Sequence, residues 1–274
     1  MKEDQIHPFL RWAGGKNWLL KYIEDYLPEN FNNYHELFLG GASLFTFLSN
    51  RRLLNKKIYF SDTNRDLVTT YINIRDNVES VILYLKNYKN KKESYYHLRN
   101  KVITNKIELA ARFIYLNRTS YNGIYRVNLK GKYNVPYGFK KYKALFDFDN
   151  LLKFSKRLKG VEIFSKDFEE SLENIKKNDL VFLDPPYTTA HQDNGFIKYN
   201  QKLFSLEDQK RLSIFMEKIS KVGAHFISTN SYHKNIIKIF SKHKKKKLKR
   251  FSVIGGKEAE RKIISELIFF NTKN

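Results

Sequence analysis

The chain has 274 residues, of which 42% are hydrophobic and 15% aromatic, and this is enough to build one large packed domain with an insertion. It contains no cysteine, which excludes disulfides and every site that needs a thiolate, and it has no apolar run of about 18 residues that could span a membrane. Lys and Arg total 51 against 28 Asp and Glu; the formal net charge of +23 favours a polyanionic partner, although a lysine-rich genome would also raise it.

The hydrophobic pattern predicts strands that alternate with amphipathic helices, as in a mainly parallel, doubly wound α/β sheet. The first residues, MKEDQIHPFLRWAGGK, lack the apolar core of a secretory signal, so we expect a cytoplasmic protein. In chain order we predict a helix at Asn17–Tyr26, a strand at His35–Leu39, a helix at Ser43–Leu48, a strand at Lys57–Ser61, a helix at Asp66–Ile74, strands at Val161–Ser165 and Leu180–Leu183, a helix at Ser205–Lys221, a strand at Ala224–Ser228, and a closing antiparallel pair at Leu248–Val253 and Ser265–Phe270, joined through Gly255 and Gly256.

The interval between Asp62 and Val161 is much longer than a single crossover helix requires. We predict an inserted small domain there, with three helices followed by a hairpin. The helices are predicted at Asn77–Tyr88, Ser94–Thr104 and Glu108–Asn117, and the hairpin strands at Arg126–Asn128 and Tyr133–Val135, around Leu129–Lys132.

The tetrad Asp184-Pro185-Pro186-Tyr187 follows a predicted strand, at the edge where α/β sheets bind ligands. The exocyclic amine of adenine is a poor nucleophile, because its lone pair is delocalised into the ring. The Asp184 carboxylate and the Pro185 carbonyl would accept its two N–H bonds and aim the lone pair at a methyl donor. Pro186 makes the turn rigid, and Tyr187 is suited to stack on the base. The alternative is a rigid turn with a capping aspartate.

Two further segments are typical of a site for a nucleotide-like ligand. In ELFLGGAS a strand leads through Gly40 into a helix, and Asp62 ends the next strand, where a carboxylate can bind a ribose. In FLRWAGGK, Trp12 suits a cationic sulfonium and Lys16 a carboxylate, which fits an amino-acid-like donor. A phosphate-binding P-loop is disfavoured, because Asn17 stands where that motif has Ser or Thr.

Two basic or polar segments point to nucleic acid. Arg, Asn, Tyr and an apolar wedge around the predicted hairpin are what base-edge reading and base-step insertion need, although a polar surface hairpin would look similar. The run from Lys242 to Arg250 is strongly basic; it is explained either by a solvated or protected edge strand or by contact with phosphates.

Together these motifs resemble the Dam family of DNA adenine methyltransferases. The similar segments cover nearly the whole chain: FLRWAGGK, ELFLGGASLF, SDTNRDL, LNRTSYNGIYRVNLKGKYNVPYG, KDF and FLDPPY. The resemblance implies a Rossmann-like methyltransferase sheet of about seven strands, with an inserted, mainly helical, hairpin-bearing target-recognition domain. The S-adenosylmethionine-binding catalytic domain would comprise residues 1–70 and 158–274, and the DNA-binding domain residues 71–157.

The resemblance also implies roles for individual residues. The residues implied to bind S-adenosylmethionine are Trp12, Lys16, Glu36, Phe38, Gly40, Asp62, Asp167, Phe168 and Asp184. Those implied to hold the flipped adenine are Asp184, Pro185, Pro186 and Tyr187. Those implied to bind DNA are Arg118, Tyr121, Asn122, Ile124, Arg126, Asn128 and Pro136. Arg126 is the expected guanine reader, because a guanidinium fits O6 and N7 together, and the family makes GATC the expected target.

We therefore expect methyl transfer to N6 of an adenine in double-stranded DNA. No metal is expected, because a sulfonium is already an activated donor, and we expect a monomer in solution. The sequence leaves open whether a companion restriction endonuclease accompanies the enzyme. Cytosine N4 or RNA methylation would use similar chemistry, and a non-catalytic DNA-binding module would keep the same fold.

Overall fold

The computed structural model describes residues 4–12, 14–16, 18–128, 131–187, 204–251 and 263–272. Its strands are β1 (Tyr34–Glu36), β2 (Ile58–Ser61), β3 (Glu162–Phe164), β4 (Leu180–Leu183), β5 (His225–Ser231), β6 (Lys245–Phe251) and β7 (Ile263–Phe270). Its α-helices are α1 (Ser43–Asn50), α2 (Arg65–Asp76), α3 (Val78–Asn87), α4 (Lys92–Asn100), α5 (Lys106–Thr119), α6 (Phe148–Leu158), α7 (Leu206–Val222) and α8 (Lys234–Ile239). Short 3₁₀ helices lie at Ile23–Tyr26, Tyr121–Gly123 and Phe168–Asn174.

The strands form a seven-stranded sheet in the order β3-β2-β1-β4-β5-β7-β6. β4 pairs in parallel with both β1 and β5, and all four of its residues are buried, as expected for a strand covered on both faces. β7 pairs antiparallel with β5 and with β6. The predicted mixed α/β fold with a mainly parallel sheet is confirmed.

The chain forms two compact units. The first comprises Met1–Asn17, Leu39–Leu54 and Phe60–Lys166, and the second Trp18–Phe38, Asn55–Tyr59 and Asp167–Asn274. The division of the chain into a catalytic and a target-recognition domain stays a prediction. No described helix is both long and apolar enough to cross a membrane.

Polar caps explain where several helices begin. The Asn64 side chain accepts the Leu67 N–H at the start of α2, and Asn105 accepts two N–H groups at the start of α5. Ser205 and Asp208 form a capping box on α7, which ends at Gly223 with a φ of +82°. In the second unit, α7 packs its apolar face, including Phe215, onto the buried side chains of β4 and β5.

Some predicted elements were wrong. Asn17–Tyr26 is not an α-helix: the described part forms turns with bonds such as Tyr22 N–H to Leu19 O, and ends in a short 3₁₀ helix. The apolar residues that suggested a helix, Leu19, Ile23 and Tyr26, are buried, but they are buried without the run of i to i−4 hydrogen bonds of an α-helix.

The strand predicted at Leu248–Val253 begins earlier, at Lys245, because an edge strand tolerates lysines that look like a loop in sequence. The helix predicted at Ser94–Thr104 ends at Asn100. Four elements of the described chain were not predicted, namely α6, α8 and the 3₁₀ helices Tyr121–Gly123 and Phe168–Asn174. The predicted turn at Gly255 and Gly256 lies outside the described residues.

Candidate functional site

The Asp-Pro-Pro-Tyr tetrad lies at the carboxyl end of β4, as predicted. The Thr229 hydroxyl, on the adjacent strand β5, donates to Asp184 Oδ1 at 2.6 Å. The Tyr187 hydroxyl donates to Glu266 Oε2 at 2.6 Å, and Glu266 on β7 is 2% exposed. Burial raises the pKa of Tyr187 well above its ordinary value, and the neighbouring Glu266 and Asp184 charges raise it further. Tyr187 is therefore a neutral hydrogen-bond donor at physiological pH, anchored at its hydroxyl end.

Thr229 and Glu266 were not found from the sequence. They are separated from their partners by 45 and 79 residues, so no local spacing connects them. One feature could have indicated them, because each is a polar residue within a largely buried part of its strand. A buried polar side chain in a strand needs a partner, and here the partner belongs to the tetrad.

Besides Asp184, the second unit contains four of the residues implied to bind the methyl donor. Glu36, on β1, is buried and accepts the Tyr34 hydroxyl at 2.8 Å. Phe38 and Phe168 lie with their ring centroids 5.5 Å apart, and both contact Phe204.

Asp167 caps the 3₁₀ helix Phe168–Asn174 through a capping box. Its Oδ1 also receives an N–H from Arg211 at 2.8 Å. The Arg211 guanidinium lies over the Phe168 ring, 5.1 Å from its centroid, and bonds Glu169 as well. Arg211, which the sequence did not single out, thus fixes the positions of Asp167 and Phe168.

In the first unit, the glycine turn and Asp62 are brought together. The Gly40 N–H points at Asp62 Oδ2 at 3.4 Å, and the Asn64 N–H donates to Asp62 Oδ1 at 2.9 Å. Burial raises the pKa of Asp62 to about 6, although these backbone N–H groups lower it. Gly40 has a φ of +46°, and a Cβ there would lie 2.8 Å from Trp12 Cδ1, so the turn requires glycine.

Trp12 and Lys16 are placed by close contacts in the same unit. The Trp12 indole stacks on Tyr125 with centroids 5.6 Å apart and an interplanar angle of 18°. Lys16 is 3% exposed, and its Nζ donates to Gly14 O at 2.6 Å. Both side chains are held in one orientation, as a preformed ligand site requires. Within the described residues, no group of three or more His, Asp or Glu side chains is placed to hold a metal ion.

The predicted hairpin pairing is present at its described residues. Val127 and Tyr133 form an antiparallel bridge, the Asn128 N–H donates to Lys132 O at 2.8 Å, and the Lys132 N–H donates to Asn128 Oδ1 at 3.0 Å. Leu129 and Lys130 lie outside the described residues. The Arg126 Nε donates to Asn134 Oδ1 across the hairpin at 2.8 Å.

The other residues implied to bind DNA lie beside this hairpin in the first unit. The Tyr121 N–H donates to Pro136 O at 2.9 Å, and the Tyr133 hydroxyl donates to Ile124 O at 2.8 Å. Among the seven, those with exposed side chains are Tyr121, Asn122, Asn128 and Pro136.

Arg118 is half-buried: its guanidinium lies over the Tyr142 ring at 4.4 Å and its Nε donates to Leu145 O. Burial, assisted by the nearby positive charge of Arg11, lowers its pKa from the ordinary value.

The fold and the tetrad at the end of β4 agree with sequence comparison. A profile of the D12 class N6 adenine-specific DNA methyltransferases matches residues 12–254, and the chain belongs to this family. The type II methyltransferase M.MjaIII of Methanocaldococcus jannaschii is 36% identical, with 97% of this chain and 99% of the relative covered. The type II methyltransferase M1.LlaDCHI of Lactococcus lactis subsp. cremoris is 33% identical, with 98% and 96% covered. A DNA adenine methylase of Haemophilus influenzae is 30% identical, with 78% and 75% covered.

The predicted resemblance and the predicted enzyme class are thus confirmed: the chain is an adenine-specific DNA methyltransferase. Membership of this family argues against the three alternative functions, which were methylation of cytosine N4, methylation of RNA, and DNA binding without catalysis.

Proposed function

We propose that this enzyme transfers a methyl group from S-adenosylmethionine to N6 of an adenine that is flipped out of duplex DNA, with GATC as its target. The observation that supports the chemistry best is the anchoring of the tetrad. Asp184 receives a 2.6 Å hydrogen bond from Thr229, and Tyr187 is bonded to Glu266, so both side chains are positioned before a substrate binds.

In the proposed mechanism the tetrad activates the amine. The Asp184 carboxylate and the Pro185 carbonyl accept the two N–H bonds of N6, which localises the lone pair on nitrogen. S-adenosylmethionine supplies the methyl group on a sulfonium, so that a new N–C bond forms as the C–S bond breaks. Asp184 is the group that can take up the proton that N6 loses. Tyr187 stacks on the base and offsets the unstacking cost of a few kcal/mol.

The donor site is proposed from residues that suit its chemical groups. In the first unit, Asp62 would accept hydrogen bonds from ribose hydroxyls, Gly40 would permit close approach, Lys16 would bind the carboxylate and Trp12 would lie against the sulfonium. In the second unit, the residues that the family resemblance implies for the donor are Glu36, Phe38, Asp167 and Phe168. In support, these side chains have fixed orientations within their units, through the contacts described above.

Target reading is proposed for the hairpin and the segment that precedes it. Arg126 would read guanine: a guanidinium has five N–H donors, and its bonds with Asn134 leave donors for O6 and N7. The exposed Tyr121, Asn122, Asn128 and Pro136 would contact adjoining bases or phosphates, with Arg118 and Ile124 beside them.

The catalytic role of Asp184 is tested by Asp184→Ala. We expect methyl transfer to be abolished, while affinity for duplex DNA stays within a few-fold of the unmodified enzyme. The matched control is Asp149→Ala, which removes an exposed carboxylate on α6 that pairs with Lys153. Turnover is measured with labelled S-adenosylmethionine and affinity by fluorescence anisotropy. Near-normal turnover in Asp184→Ala would refute the assigned role.

The target sequence is tested by sequencing plasmid DNA from cells that express the protein, with detection of N6-methyladenine. Modification of every GATC site supports the proposal. Modification of adenine in another motif overturns GATC but leaves the chemistry intact. We further propose that the enzyme acts as a monomer, which light scattering checks, and that it has a companion restriction endonuclease, as the type II names of its relatives suggest.

A further inference from the structure

The outer strand β6 and the residues just before it form a dense basic surface within the second unit. Residues 242–249 contain six lysines, all with exposed side chains: Lys242, Lys244, Lys245, Lys246, Lys247 and Lys249. β6 is the last strand of the sheet and pairs along one edge with β7. Its cationic side chains therefore project from both faces of the strand.

Carboxylates do not neutralise the strand itself. Lys242, just before β6, lies 3.6 Å from Glu217. Within the part of the chain that the structure describes, Lys245, Lys246, Lys247 and Lys249 have no ion pair.

Aromatic rings hold two of the ammonium groups instead. Lys247 lies 3.9 Å from the centroid of Tyr232, and Lys244 lies 4.7 Å from that of Phe270.

Protection of the sheet edge does not require so many charges. One or two charged side chains or a proline suffice to prevent edge-to-edge pairing. Adjacent like charges repel one another and weaken the strand that carries them. Such a run is stabilised when a polyanion binds it and the condensed counterions are released.

The spacing also fits a regular polyanion. Alternate residues on one face of an antiparallel strand are about 6.8 Å apart. This is close to the separation of successive phosphates along one DNA strand, since each nucleotide both advances about 3.4 Å along the axis and moves around it. Lys245, Lys247 and Lys249 form such a row on one face of β6. A straight row of cations at this repeat can follow a phosphate backbone without reading bases.

We propose that β6 is a sequence-independent binding surface for the phosphate backbone of duplex DNA, separate from the recognition hairpin. The proposal uses the DNA substrate that family membership shows, and does not depend on GATC or on the residue roles proposed above. Its contribution is uniform across sequences and is lost at high salt.

The test compares two double variants with the same change in charge. Lys245→Glu/Lys249→Glu alters β6, and Lys218→Glu/Lys221→Glu alters exposed lysines of α7 as the matched control. Affinity for a labelled duplex without GATC is measured by anisotropy between about 50 and 200 mM salt. We expect the slope of log affinity against log salt to fall by about two in the β6 variant relative to the control. Equal slopes in both variants would overturn the proposal. Thermal unfolding verifies that both variants are folded.

Edge protection is distinguished with Lys245→Gln/Lys249→Gln. This variant removes the charges, whereas the glutamate variant keeps a charged edge. If β6 binds phosphates, both variants lose salt slope, whatever their state of association. If the lysines only protect the edge, the DNA slopes of both variants equal that of the control. Because the duplex lacks GATC and no methylation is scored, failure here leaves the proposed target and chemistry untouched.

Discussion

Asp184 and Asp62 both follow strands of the sheet, but their surroundings give them different chemistry. The Asp184 carboxylate receives a side-chain hydroxyl, from Thr229. The Asp62 carboxylate receives backbone N–H groups at a glycine turn, and its burial raises its pKa to about 6. The first arrangement suits the reaction proposed for Asp184, and the second holds an acceptor whose charge is lost in mild acid.

Thr229→Val removes the hydroxyl that fixes the Asp184 carboxylate while it keeps the shape of the side chain. We expect turnover to fall roughly 10- to 100-fold, since a hydrogen bond to a charged group contributes about 1.5–3 kcal/mol. The KM for DNA should change little. Thr229→Ser retains a hydroxyl and should restore most of the activity. Equal turnover of the valine and serine variants would show that this hydrogen bond does not serve catalysis.

Asp62→Asn tests the raised pKa through stability. The folded protein binds the Asp62 proton more tightly than the unfolded chain does. The free energy of unfolding is therefore highest below about pH 4, falls as the pH rises through about 6, and stays at the lower value above it. Relative to the asparagine variant, in which this position does not titrate, the free energy of unfolding of the original protein should therefore fall by up to about 3 kcal/mol between about pH 4 and about pH 8. Urea unfolding of both proteins at both pH values measures this. A difference between the two proteins that is the same at both pH values would contradict it. If the proposed ribose contact is correct, the variant also binds S-adenosylmethionine more weakly.

At the scale of elements, the turn between β1 and α1 depends on one glycine. Gly40 combines a positive φ with the nearby Trp12 ring, whereas Gly160, with a φ of +79°, has open space around its Cα. The two positions separate the cost of backbone conformation from the cost of steric conflict.

Gly40→Ala and Gly160→Ala form a matched pair. We expect Gly160→Ala to lower the free energy of unfolding by about 1 kcal/mol, the cost of a left-handed residue with a Cβ. Gly40→Ala should lower it by about 2–4 kcal/mol, because overpacking against Trp12 is added. Denaturant unfolding gives both values. Equal losses in the two variants would mean that the Trp12 ring moves aside without cost.

The elements predicted correctly are those whose burial is evident from the hydrophobic pattern of the local sequence. β4, a continuous run of four apolar residues, matches its predicted bounds, because a strand buried on both faces leaves no ambiguity of period. α6 was missed although Leu151, Phe154 and Leu158 have helical spacing and are buried, since lysines and asparagines around them resemble a loop. β6 was misplaced for the opposite reason: its pairing with β7, and not its composition, makes it a strand.

For the candidate site, sequence motifs located the tetrad, the glycine turn and the hairpin. They did not locate Thr229, Glu266 or Arg211, because these side chains reach their partners only through strand pairing or helix packing. The supporting residues lie on other elements, and only the folded chain identifies them.

For the whole molecule, the net charge of +23 should make the affinity for DNA depend strongly on salt concentration. We expect the affinity for duplex DNA without GATC to fall about 1,000-fold or more between about 50 and 200 mM salt, as for proteins that contact six or more phosphates. Titration by anisotropy in that range measures the fall. A decrease of less than about tenfold would mean that most of the lysines reflect composition alone.

The Tyr187–Glu266 hydrogen bond makes the position of Tyr187 depend on the side-chain alternation of β7. Glu266 faces Tyr187 only while β7 keeps its present alignment, in which Glu266 lies opposite Ser231 on one side and Leu248 on the other. A slip of one residue would turn Glu266 to the reverse side of the sheet and would leave the tyrosine without its anchor. A single-residue deletion in β7 ahead of Glu266 could thus silence the enzyme from outside the tetrad, with every motif residue intact.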